Sequence, residues 1–157
     1  MKKVKRNELF VVRAKAAVTS EWLYGNVLFV GKNGYILSVP PRKRASAVIS
    51  SLDKYLIEID THTLDRNIGE YDMNGKMIFE NDIIAEKRLA SDPGDSEYAY
   101  YLIKWYAEYD QFMAVGIDNG VLIEHPTCDR DLMPAIRFSE YYVVGNIHDN
   151  SIGELTQ

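Results

Sequence analysis

The residues of this chain that could make bonds, break bonds or hold a metal are three histidines, one cysteine and a scatter of carboxylates. His125-Pro126-Thr127-Cys128 sets an imidazole and a thiol close together, which is half of a zinc site. Zinc takes four ligands, usually as two close pairs. Only His62 and His148 remain, and there is no second cysteine, so a plain loop and no metal is the expectation. His62 lies in Thr61-His62-Thr63, where neighbouring hydroxyls cap a turn rather than form a nucleophile with the ring. Asp72, Glu80, Asp82, Asp110, Asp118, Asp129 and Asp131 could work as acid and base only if two converge in a cleft with separated pKa values. Asp72 precedes Asn-Gly and Asp82 follows a bend, which are turn positions. Neither glycine-rich phosphate-binding pattern occurs. The expectation is no catalytic residue, no cofactor and no enzyme activity.

Two other sets of residues carry binding chemistry. Lys2, Lys3, Lys5 and Arg6, with Arg42, Lys43 and Arg44, form a candidate basic patch that could grip phosphates. They belong to an uneven charge layout. Residues 1–54 hold eleven basic and three acidic side chains, a local +8, and the remaining 103 hold seven and twenty, a local −13. Three readings stay open for that section: a solvated surface, contact with the acidic part of a second subunit, or local contact with nucleic acid. Tyr98, Tyr100 and Tyr106, with Lys104, make a candidate interaction surface. Eleven tyrosines in 157 residues suit half-buried sheet faces and interfaces. The alternative for the tyrosine strip is that a second layer covers it.

The elements that position these groups read as strands. Leu9 to Val12, Leu23 to Val30 and Tyr35 to Val39 are short and β-rich, and the last two form a hairpin at about 23–39 with a four-residue loop, Gly31-Lys32-Asn33-Gly34. Pro40-Pro41 stops the second strand. Val48 and Leu52, four apart, allow one short helix at about 44–53. Tyr55 to Asp60 alternates as a strand. Asn74-Gly75 suits a two-residue turn with positive φ, followed by strands at Met77–Phe79 and from Asp82 to Arg88. Tyr98 to Tyr109 is the longest strand, with Ala99, Tyr101, Ile103, Trp105 and Ala107 facing the core. Tyr98, Tyr100, Leu102, Lys104, Tyr106 and Glu108 face outward. Asp118-Asn119-Gly120 closes a further hairpin, residues 125–138 read as loop with room for one helical turn, and Glu140 to Ile147 is the last strand. Short strands at close spacing with few helices argue a small barrel.

Several of these words resemble the YopX family of phage and prophage proteins. They are Asp60-Thr61-His62-Thr63-Leu64, Gly69, Asp72-x-Asn74-Gly75-Lys76-x-Ile78-Phe79-Glu80-x-Asp82-Ile83-Ile84, and Val143-Val144-Gly145-Asn146-Ile147-His148-Asp149-Asn150. A weaker match is Trp22-x-Tyr24-Gly25. The resemblance implies a mainly β protein with an SH3-like small barrel, and it transfers no activity. The family has glycine at the position of Asn81, the next most tolerant residue of left-handed backbone, and often tyrosine at that of His148, which favours a packing role. The domain expectation is a β-rich section over 1–59 and an SH3-like barrel over 60–157, with at most one or two short helices. Size, one cysteine and the lack of an apolar run of ~18 residues suit a cytoplasmic protein with no membrane partner. The functional expectation is a non-enzymatic protein-interaction module that self-associates as a homo-oligomer and also binds an unknown protein partner, with nucleic-acid binding through the basic N-terminal third as the alternative and an uncharacterised enzyme as the second alternative.

Overall fold

Strands dominate the computed structural model, which describes residues 11–38, 50–88, 97–123 and 140–155. They fall into two compact units, with the boundary between Asn67 and Ile68. The protein is mainly β, with a curled half-barrel sheet, as the strand spacing and the resemblance imply.

In the N-terminal unit, β1 (Val12–Lys15) pairs antiparallel with β2 (Trp22–Gly25), while β3 (Val27–Val30), β4 (Asn33–Leu37) and β5 (Leu56–Ile59) form a second sheet in that order. Ala14, Ile36 and Ile59 are buried between them, with Val12, Leu23, Val27 and Leu64 packed alongside. The segment expected as one strand, Leu23 to Val30, is broken at Asn26 and passes from one sheet to the other. Gly25 marks the corner, where a Cβ would stand 3.1 Å from Ile36 Cγ2. The expected four-residue loop is also corrected. Val30 pairs with Asn33, so only Gly31-Lys32 turn. Gly31 takes φ +64, as a type II′ turn requires at its first central position. Gly34 joins the strand because its missing side chain makes room for Ile59 and Thr61.

Of the expected strand Leu9–Val12, Leu9 and Phe10 lie outside the described residues; β1 opens at Val12, one residue after Val11, and runs through two cations. Arg13 is tolerated there because Asp65, fully buried, takes its Nε and Nη2 at 3.0 and 2.9 Å. Arg13 also lies 4.8 Å from the ring centroid of Trp22. Asp60 caps a 3-10 turn at Thr61–Thr63 by accepting the His62 amide, and Thr63 Oγ1 accepts the Lys15 amide at 2.8 Å. The helix expected at about 44–53 lies mostly outside the described residues; its last positions form a 3-10 turn, Leu52–Lys54.

The unit boundary falls inside β6 (Asp65–Tyr71), a strand missing from the sequence expectation. Its sequence is polar, and its buried Asp65 and Asn67 offer no apolar alternation. Asp65 and Arg66 pair with β1, and β6 neighbours β7 (Met77–Phe79).

The C-terminal unit contains an antiparallel sheet ordered β11-β10-β9-β8-β12. Its strands are β8 (Asp82–Lys87), β9 (Tyr98–Tyr106), β10 (Gln111–Asp118), β11 (Val121–Leu122) and β12 (Tyr141–Asn146). Consecutive strands are neighbours and the last returns beside the first. Ile78, Ile84, Ile103, Ala114 and Tyr141 form its core, with Ile68, Tyr101, Phe112 and Val143 against them. Tyr101 and Ile103 of β9 thus face the core as their alternation predicts. Ala107 is exposed in the turn after Tyr106, two residues beyond the strand's core-facing run. A short helix, α1 (Ile152–Leu155), follows β12, and the Glu154 carboxylate accepts the Ser151 amide at 2.9 Å.

Candidate functional site

One row across the C-terminal sheet explains the site. Tyr142 of β12 stands opposite Ala85 of β8, which stands opposite Tyr100 of β9, which stands opposite Ile117 of β10. Facing pairs lie on one side of a sheet, so two tyrosines flank one methyl group. Ala85, 2% exposed, is the floor of a groove and the half-buried Tyr100 and Tyr142 are its walls. Tyr98 lies two residues before Tyr100 and joins the same face, with its ring centroid 6.4 Å from that of Tyr100. Val144, two residues after Tyr142, shares its face and completes the rim next to a β-bulge between Val143 and Gly145. The groove holds about 410 Å³, within the range of small-ligand and side-chain sites.

A second, smaller cleft of about 170 Å³ shares Tyr98 and Tyr100 and brings in Arg88, Asp118, Asn119 and Ile123. Asn119 and Gly120, with φ +49 and +75, give the sharp two-residue hairpin turn that places Asp118 at this edge. Beside it, Lys87 and Glu97 form an exposed ion pair at 2.8 Å, which holds the ammonium pKa above its ordinary value.

The four-residue strip expected on β9 is divided. Tyr98 and Tyr100 line the groove; Lys104 and Tyr106 line neither cleft. Lys104 Nζ instead lies 5.7 Å from the Tyr106 ring centroid, and Tyr106 is 6.4 Å from Tyr109. Leu102 separates the two pairs and is 3% exposed, not outward as its parity predicts. Ile83, Met113 and Val115 on the same face are also buried. The face is therefore covered in its middle and open at its Tyr98 end. Tyr142, Val144 and Arg88 were missed. A pairing between β12 and β8 across more than fifty residues leaves no local signal, although Val144 sits inside the resemblance. The basic residues Lys2, Lys3, Lys5, Arg6, Arg42, Lys43 and Arg44 lie outside the described residues, as do His125 and Cys128.

Three carboxylates of the segments that carry the resemblance, Asp60, Asp72 and Asp82, accept main-chain amides. Asp82 is fully buried; its Oδ2 accepts the Phe79 amide at 2.9 Å and its Oδ1 accepts Asn146 Nδ2 at 3.4 Å. Asn146 Oδ1 in turn accepts the His148 amide at 2.8 Å. Asp72 Oδ1 accepts the amides of Asn74 and Lys76. This capture corrects the turn at Asn74-Gly75. Gly75 alone has positive φ, +78, and its amide donates to Asp72 O, giving a type I turn with a glycine bulge instead of a two-residue loop. Tyr141 Oη donates to Glu86 at 3.2 Å, and burial, with the Glu86 charge beside it, pushes its pKa far above the ordinary value. Among the described residues no group of three or more His, Cys, Asp or Glu could hold a metal ion, and no helix is long and apolar enough to cross a membrane. The groove offers apolar surface and phenol hydroxyls.

No curated protein matches the chain. Residues 30–152, which are 123 of the 157, match the family model described as YopX protein, and this chain belongs to the YopX family.

Proposed function

We propose that this is a cytoplasmic, prophage-type protein-interaction module without enzymatic activity, which receives an extended peptide in the Tyr98–Tyr100–Tyr142 groove and self-associates. The observation that carries the reading is the groove itself: three aromatic walls over an alanine floor. Aromatic grooves of this kind suit extended segments bearing proline or aromatic side chains, because flat rings stack on a preformed, stiff ligand at low entropic cost. The phenol hydroxyls supply donors for the peptide carbonyls. The opposed charges of residues 1–54 and 55–157 support self-association.

Selection from a random peptide display library on the immobilised full-length protein tests the groove. Enrichment of proline- or aromatic-bearing peptides that bind the parent chain and lose binding to Tyr100→Ala and Tyr142→Ala is the expected result. A library that enriches nothing, or only peptides indifferent to both substitutions, would overturn the reading.

A further inference from the structure

Strand β3 presents an apolar edge that no described strand covers. Leu28, Phe29 and Val30 are 47%, 53% and 60% exposed. Side chains alternate along a strand, so Leu28 and Val30 lie on one face and Phe29 on the other. A partner laid flat on either face would leave the opposite one wet. A strand added to the edge shields both.

The backbone agrees. Val30 pairs with Asn33 across the two-residue turn and Leu28 pairs with Tyr35, and these are the positions that exchange hydrogen bonds with β4. Val27 and Phe29 therefore aim their N–H and C=O groups away from β4. β3 ends its sheet, and no described strand lies beyond it. The C-terminal sheet treats its edge differently. Along β12, the Tyr141 carbonyl accepts the Met73 amide and the Val143 amide donates to Asp72, so the turn at 72–76 closes it.

We propose that the β3 edge pairs antiparallel with the β3 edge of a second copy of this chain, a proposal that rests on the self-association reading above. A two-fold axis at Leu28 sets Val27 opposite Phe29 of the other copy and joins them by reciprocal N–H···O=C bonds. It also sets a large side chain beside a smaller one on one face and Leu28 beside its counterpart on the other. Nothing in the segment opposes an identical neighbour. Trp22 to Gly31 is ten residues without a charge or a proline, and those are the devices that usually keep strand edges apart. A ladder this short buries less than the ~1,000 Å² of a durable interface, so the dimer is reversible and concentration-dependent.

Amide hydrogen exchange of the full-length protein, read residue by residue by NMR at low and high concentration, tests the pairing. The Val27 and Phe29 amides slow with concentration while those of Leu28 and Val30 do not change. Phe29→Lys, checked for retained amide dispersion, weakens dimerisation by about tenfold or more. Should it fail to fold, Leu28→Thr, which keeps β propensity, serves with a smaller effect expected. A dimer that forms without protecting Val27 and Phe29 overturns this interface and leaves self-association standing. A protein that stays monomeric at every concentration overturns both.

Discussion

Asp72 Oδ2 accepts the amide of Val143 at 3.1 Å, across 71 residues of sequence. The other oxygen of the same carboxylate holds the amides of Asn74 and Lys76 at 2.9 and 2.8 Å. One side chain thus shapes a turn and fastens the edge of β12 to it. Asp72→Ala leaves three main-chain donors without their acceptor and is expected to cost ~2–4 kcal/mol. Asp72→Asn retains one acceptor but turns an amide group toward a donor, so a smaller loss follows. Urea denaturation of the two variants gives the order; equal stability of Asp72→Ala and the parent would remove this role.

Arg13 and Asp65 form a buried pair in the N-terminal unit, with both partners under 5% exposed. Removing one charge strands the other. Arg13→Met is expected to destabilise by ~3–5 kcal/mol, and Arg13→Met with Asp65→Leu to recover most of that. A double-mutant cycle by thermal unfolding measures it, and additive losses would mean that the two do not act as a pair.

Asn81 takes φ +65 where the family has glycine, and its Nδ2 lies 3.5 Å from His148 Nε2, the other departure from the family pattern. Asn81→Ala should cost about 1 kcal/mol, from left-handed backbone without a polar side chain. Asn81→Gly relieves strain but gives up the side-chain contact, so it should lie within about 0.5 kcal/mol of the parent. Chemical denaturation separates the two; an Ala variant as stable as the Gly variant would show that the backbone is not held left-handed.

Two titrations have defined signs. Burial raises the Tyr141 pKa, so the stability it confers is complete below the ordinary tyrosine value of ~10 and falls as pH rises beyond it, because the unfolded chain ionises first. Tyr141→Phe should flatten the alkaline limb of a stability–pH curve. The Ser151 amide lowers the Glu154 pKa, so its contribution to the last turn is present above the ordinary glutamate value and is lost as pH falls through the lower, folded one. An NMR titration of the Ser151 amide reports this, and a midpoint at or above the ordinary value would contradict it.

Much of the fold was legible because turn chemistry is local. Asn119-Gly120 adopts positive φ at both residues and closes the expected hairpin. Asn74-Gly75, the same dipeptide, does not, because the Asp72 carboxylate binds the amides around it. The strand at Asp65–Tyr71 was hidden for a related reason. Its buried polar groups gain partners from distant strands, such as Arg13, and no periodicity announces them. The groove was half legible. Tyr98 and Tyr100 share a strand and show their common face by parity, whereas Tyr142 reaches them only through a pairing of β12 with β8.

Self-association of this interaction module is read out by sedimentation velocity of the full-length protein over a wide concentration range at low and high salt. A reversible shift from the mass of one chain to that of two is expected as concentration rises, abolished or weakened by Phe29→Lys. A single species with the mass of one chain under every condition would contradict it.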